Sequence, residues 1–307
     1  MTRKIQSLIS IVVFAGLFVG GCAKAATPIA TATSTPTQTL TLTPSPAPTI
    51  QPGDSKRTLT VDNLERAYLL HIPPGLDSLQ PVPVVFVFHG LSMGAQFMDS
   101  VTGFNDISDT NGFLVVYPSS FGIMWNFGNC CGGIYTDNQK DDIDFVRQIL
   151  IDLGTFASVN PSRIYSTGFS AGAIFTYRLA CEMSDTFAAI APVSGALLDF
   201  TCQPQQPVSV LHEHGLMDTE IDYAGGFGFT GSIFPSVEQS VATWAQLDGC
   251  NSVPNVKEQG VLTHTVYSSC RAGTAVELYT MDAQGHFWPT EEFSKIIWAF
   301  FDAHPKQ

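Results

Sequence analysis

Charge is scarce in this chain. Only 13% of its 307 residues are Asp, Glu, Lys or Arg, about half the share of an ordinary soluble domain. Bases are scarcer than acids. Fourteen Lys and Arg stand against 27 Asp and Glu, a formal charge of −13. So few cations argue against nucleic acid as a partner, because phosphate binding needs a Lys/Arg surface. Long apolar runs are rare too, and the stretch Ile5 to Val19 is too short for an ordinary transmembrane helix. Aromatic residues are not scarce. The 22 Phe, 8 Tyr and 4 Trp supply enough apolar area to exclude a disordered chain. Cysteine is present seven times, and an odd number in an exported protein leaves one thiol to explain.

The N-terminus supplies that explanation. Arg3 and Lys4 precede the apolar stretch, and Val19-Gly20-Gly21-Cys22 follows it. This is the layout of a secretory signal. The small residues before Cys22 resemble a bacterial lipobox, which implies acylation of Cys22 as the mature N-terminus. A plain signal peptide with a chance cysteine is the alternative. Residues 22–52 are rich in Thr, Pro and Ala, with Lys24 their only charge. Such a segment cannot bury enough apolar surface to fold, and its prolines bias it toward extended polyproline II. We therefore expect a signal at 1–21, a lipid-anchored linker at 22–52 whose Thr/Ser content would suit O-glycosylation, and one domain at 53–307.

That domain alternates strand and helix patterns. Arg57 to Val61 and Arg66 to Ile72 predict a hairpin around Asp62-Asn63. Val82 to Phe88 is a continuous β-branched and aromatic run, suited to a strand buried on both faces. Further strands are predicted at 114–117, 163–169, 188–193, 208–212 and 276–281. Helices are predicted at 142–156, 171–183, 237–247 and 293–302. The alternation predicts a mostly parallel sheet covered by helices on both faces, an α/β fold.

Three loops, each after a strand, carry candidate chemistry. Gly168-Phe169-Ser170-Ala171-Gly172 is a GxSxG motif between a strand and a helix, the context a nucleophile elbow requires. The backbone N–H of Ala171, at the helix N-terminus, can donate to an oxyanion. The alternative is a helix-capping serine with packing glycines. Asp218 follows the 208–212 strand and can orient a histidine. Glu213, Glu220 and Asp222 are its rivals, and we read them as a solvated acidic loop. His286 lies in the loop after 276–281 and completes the chain order Ser, Asp, His. It would take the serine proton and return it to the leaving alcohol. The loop after Val82–Phe88 offers Leu91 as the second oxyanion donor. His89 is read as packing beneath that loop.

These residues resemble the polyhydroxybutyrate depolymerase-like esterases, which share a fold with the feruloyl and acetylxylan esterases of carbohydrate esterase family 1. The matching segments are FHG at 88–90, WNFGNCCG at 125–132, DDIDFVRQIL at 141–150, SRIYSTGFSAGA at 162–173, FAAIAPVSGA at 187–196, HEHGLMD at 212–218 and GHFWP at 285–289. The resemblance spans about residues 57 to 302. It implies an α/β-hydrolase fold, a secreted carboxylic-ester hydrolase without cofactor, and Ser170, Asp218 and His286 as nucleophile, acid and base. Ala283-Gln284 and Thr290 stand where the family often has glycine, as does Asp144. These departures touch the substrate rim more than the chemistry.

Three questions stay open at this level. Asp141, Asp142 and Asp144 could suggest a metal, but their place at a helix start suits capping, and we assign no metal. Cys181 and Cys202 flank one polar segment and Cys250 and Cys270 another. Cys130 and Cys131 then remain, as a vicinal pair or with one replacing a partner above. Trp125 and Trp288 flank the cleft or pack beneath it, and Gly225 to Phe229 contacts an acyl group or simply packs. The leading expectation is a lipid-anchored, extracytoplasmic, monomeric esterase acting on feruloyl or acetyl esters of plant cell-wall polysaccharide. The alternatives are a polyester depolymerase, an acyltransferase, or a non-catalytic surface-binding lipoprotein on this scaffold.

Overall fold

The computed structural model describes residues 51–77, 80–128, 141–198 and 201–307. The predicted signal, Cys22, nearly all of the linker, and the Cys130-Cys131 pair lie outside these residues. Twelve strands and six α-helices alternate along the described chain. The first two strands, β1 (Gly53–Val61) and β2 (Leu64–Ile72), pair antiparallel with Val61 opposite Leu64. Asp62 and Asn63 between them both have φ near +55°, at 51° and 61°. Two such residues make the turn whose twist suits a hairpin.

Next come β3 (Val82–Phe88), α1 (Ala95–Thr102), α2 (Phe104–Asn111), β4 (Leu114–Pro118) and α3 (Asp142–Gly154). The middle of the chain holds β5 (Val159–Phe169), α4 (Ala171–Glu182), β6 (Ala189–Val193) and β7 (Ser209–Gly215). The last third holds the small strands β8 (Gly226–Phe227) and β9 (Ile233–Phe234), then α5 (Val237–Leu247), β10 (Asn255–Gln259), β11 (Leu262–Tyr267), β12 (Val276–Met281) and α6 (Glu291–Ala303).

Ten strands form one sheet in the order β1-β2-β4-β3-β5-β6-β7-β12-β11-β10. The six central strands, β4 through β12, are parallel. Antiparallel pairs close each side. Strand β3 shows why the centre is parallel: it is buried along its whole length. Val84, Phe86 and Phe88 pack with Ile143, Ile149, Ile174 and Phe175 of α3 and α4. Val85 and Val87 pack with Met98, Phe104, Ile297 and Phe301 of α1, α2 and α6. Each such buried side chain contributes about 1.5–3 kcal/mol of transfer free energy. Apolar helix faces on both sides of a parallel sheet define the predicted α/β architecture.

The structure joins Cys181 to Cys202 and Cys250 to Cys270. Two sequence expectations need correction. Strand β7 runs on to Gly215 through His212, Glu213 and His214, all wholly buried. Of the three acids at α3, Asp141 caps the helix through the Ile143 N–H. Asp142 instead pairs with Arg66, and Asp144 pairs with Arg147. The Gly225 to Phe229 segment joins a short hairpin, with Phe227 opposite Ile233 and Phe229 packed on Phe234.

Candidate active site

Strand β5 ends at Phe169, and the chain turns sharply into α4. The turn residue is Ser170, with φ 55° and ψ −118°, a conformation costly for a side-chain-bearing residue. Its neighbours hold it there. The Ser170 N–H donates to Val193 O at 3.0 Å, and Ser170 O accepts from Ile174 N–H at 3.1 Å. Close approach explains the flanking glycines. A Cβ on Gly168 would sit 2.6 Å from the Gly172 backbone, and one on Gly172 would overlap the Phe88 carbonyl.

The other two loops meet this turn. His286 Nε2 lies 2.9 Å from Ser170 Oγ, and His286 Nδ1 lies 2.7 Å from Asp218 Oδ2. The Phe169 ring packs on the imidazole, 4.8 Å between centroids. Asp218 is buried, yet well supplied with donors. Its Oδ1 accepts the N–H groups of Glu220 and Ile221, both at 2.9 Å. Burial alone would raise the Asp218 carboxyl. Donors on His214, His286 and Ile221 outweigh it and hold the group well below the usual carboxylate range. It is therefore an acceptor for His286 Nδ1–H throughout the neutral range. The three residues singled out from sequence thus form one continuous hydrogen-bonded line.

The candidate oxyanion donors flank Ser170. Ala171 opens α4, where the first N–H groups have no intrahelical acceptor. Leu91 follows Gly90, and a Cβ on Gly90 would lie 3.3 Å from Ser170 Cβ. Beneath this loop His89 is buried. Its Nδ1 lies 2.8 Å from Gly90 O, and its Nε2 accepts the Ser120 N–H at 3.0 Å. Burial lowers its proton affinity. Both ring nitrogens are used in structure, as expected from sequence.

The two tryptophans do not line a cleft. Trp125 is 1% exposed, stacked on Phe175, with its indole N–H on His89 O at 2.8 Å. Trp288 donates to Ser294 Oγ and packs near Phe104. Placing them as substrate-binding walls is corrected: they are buried supports. Met217 and Phe287 are exposed apolar residues that flank Asp218 and His286 in the chain.

Glu213 also departs from expectation. It is wholly buried, and burial raises its carboxyl well above the ordinary value. Its Oε1 accepts from Gln284 Nε2 at 2.8 Å, and the same amide nitrogen reaches Phe287 O at 3.3 Å. Glu213 therefore braces the His286 loop rather than facing solvent. Glu220 and Asp222 are exposed, as read from sequence. A further group escaped the sequence reading: Tyr177, His212 and His214, stacked below Asp218. The readable signal was the two-residue spacing of the histidines, which puts both on one face of a strand. Among the described residues no cluster of His, Cys, Asp and Glu could hold a metal ion. None of their helices is long and apolar enough to cross a membrane.

The sheet order and this strand–turn–helix define an α/β-hydrolase fold. Residues 66–213 match the family model described as "Esterase PHB depolymerase", the family that the motifs of this chain resemble. The chain is 27% identical over 248 residues to Feruloyl esterase B of Piromyces equi, covering 76% of this chain and 44% of that protein. It is 26% identical over 252 residues to Poly(3-hydroxyalkanoate) depolymerase C of Paucimonas lemoignei, covering 72% and 58%. The chain thus spans about half the length of these curated relatives. Among solved structures, acetyl xylan esterase from Aspergillus awamori superposes with a TM-score of 0.59 at 18% identity, covering 80% of this chain and 99% of that one.

Proposed function

We propose that this chain is a serine carboxylic-ester hydrolase that works through an acyl-enzyme. The observation that carries the proposal is the line Ser170–His286–Asp218, with 2.9 and 2.7 Å contacts, on a strained elbow. His286 Nε2 takes the Ser170 proton as Oγ attacks the ester carbonyl. The N–H groups of Leu91 and Ala171 receive the oxyanion. As the tetrahedral intermediate collapses, the C–O bond to the alcohol breaks and His286 returns the proton to the leaving oxygen. Water then repeats the sequence on the acyl-enzyme and frees the acid. Asp218 holds the imidazole in the Nδ1–H tautomer and stabilises its charged form.

The substrate reading is a feruloyl or acetyl ester on plant cell-wall polysaccharide. The likeness to Feruloyl esterase B supports it. A polyester is the second reading. The likeness to Poly(3-hydroxyalkanoate) depolymerase C and the exposed Met217 and Phe287, which flank Asp218 and His286 in the chain, favour it. The two disulfides support an extracytoplasmic location, because such bonds persist in oxidising compartments. Anchoring through acylated Cys22 and a 22–52 stalk completes this reading.

The test compares wild type with Ser170→Ala on p-nitrophenyl acetate. A large rate loss in the variant is expected, and equal rates overturn the catalytic proposal. Product analysis on feruloylated arabinoxylan and on 3-hydroxybutyrate oligomers separates the two substrates. Cys22→Ser should release the protein from membranes, and continued association would refute the anchor.

A further inference from the structure

The reaction just described leaves three buried polar residues without a role. His212 and His214 project from one face of β7, and Tyr177 of α4 meets them; all are fully or almost fully buried. Tyr177 Oη lies 2.8 Å from His212 Nδ1. His212 Nε2 lies 3.2 Å from His214 Nδ1. His214 Nε2 lies 2.8 Å from Ile221 O and 3.3 Å from Asp218 Oδ2. The Tyr223 ring stands edge-on to His214 and walls its outer side.

The far end sets the direction of this chain. A carbonyl oxygen only accepts, so His214 Nε2 carries a proton. The near end agrees: the buried Tyr177 hydroxyl has His212 Nδ1 as its acceptor. His212 then donates from Nε2, and His214 accepts at Nδ1. Every proton points toward the acid. The last donor also closes a clamp. Ile221 N–H goes to Asp218 Oδ1, while His214 holds Ile221 O and reaches Asp218 Oδ2.

We infer that His214 is a positioning residue for Asp218, its tautomer fixed by the Ile221 carbonyl and backed by His212 and Tyr177, so that Oδ2 of the acid is held toward His286. The inference rests on reading Asp218 as the acid of an ester hydrolase. It explains why three polar side chains are kept in a region otherwise packed with Val, Leu and Trp. A satisfied buried network specifies one arrangement where an apolar core would tolerate several.

The first test needs no substitution. Nitrogen-15 NMR of the labelled full chain reads the tautomers directly. Both His212 and His214 should be neutral Nε2–H forms. An Nδ1–H form on His212, or a doubly protonated His214, reverses the chain and overturns the inference. The second test is kinetic, on p-nitrophenyl acetate. His214→Phe should lower kcat by about tenfold or more with little change in KM, the size expected for losing a hydrogen bond to a charged group. The downfield proton resonance of the His286–Asp218 bond should move as well. His214→Gln, which can present an N–H from a similar position, should restore kcat to within about threefold of wild type. A folded His214→Phe with wild-type kcat overturns the inference alone. A wild type inactive toward esters, with both tautomers as expected, overturns the hydrolase reading and the inference with it.

Discussion

The guanidinium of Arg66 and the carboxylate of Asp142 meet at 2.6 Å, with both side chains almost wholly buried. The pair joins β2 to the first residue of α3. It also reaches the floor of the site, because Asp142 Oδ2 accepts the Asn126 N–H at 2.7 Å, next to Trp125. Arg66 lies over the Phe145 ring at 4.1 Å.

Removing one partner strands a buried charge. Arg66→Met or Asp142→Leu alone should each cost about 3–5 kcal/mol in urea unfolding. The double variant should cost much less than the sum, since no unpaired charge remains. Additive losses would show that the two groups do not act as a pair.

Two glycines separate steric need from helix preference. Gly172→Ala places a methyl on the Phe88 carbonyl and should cost about 3 kcal/mol or more, with esterase activity lost. Gly154, at the end of α3, has open space around its Cβ position and no positive φ. Gly154→Ala should be neutral or stabilising by up to about 1 kcal/mol. Thermal melts of both variants decide the matter.

The acids at β7 and in the loop beyond it can be told apart kinetically. Asp218→Asn keeps the shape but favours the wrong imidazole tautomer, and kcat should fall on the order of 10⁴-fold. Glu213 sits where burial favours its protonated form, so Glu213→Gln preserves both charge and size. Its kcat should stay within about threefold of wild type. A deep loss in Glu213→Gln would instead assign that acid a charged role.

A buried acid away from the site makes a pH prediction. Burial pushes the Asp248 carboxyl up to about 7, against an unfolded value of about 3.9. The folded state holds the proton longer than the unfolded state. Stability from this site is therefore whole below about pH 4, drains away as the pH rises to about 7, and is flat above. Asp248→Asn removes the titration while keeping an acceptor for the Val208 N–H. Unfolding measured from pH 4 to 8 should show the variant gaining on wild type across that window. Parallel curves would refute the shift.

Much of this molecule was legible in its residues. VPVVFVF read as a doubly buried strand because each side of it is apolar. Ser170, Asp218 and His286 could be found because each follows a strand, where an α/β sheet presents its loops. What escaped has a common physical cause. His212, Glu213 and His214 break the apolar pattern of β7, and the partners of His212 and Glu213, Tyr177 and Gln284, are distant in sequence. The β10–β11 hairpin was missed because it is an edge with no doubly buried face. Trp125 was misplaced because a motif position does not reveal which way an indole turns. Asp142 lay at a helix start, and only the fold could bring Arg66 to it.

Strand β7 has one further consequence. One of its faces reaches the loop bearing the acid, through His214, and the other reaches the loop bearing the base, through Glu213 and Gln284. Both loops are thus surveyed from a single benchmark. A displacement of that strand carries acid and base together, so their separation is insensitive to breathing of the sheet around them. The nucleophile's elbow hangs on the neighbouring strand β6, through the Ser170 N–H on Val193 O, and Val193 lies in register with Glu213 of β7.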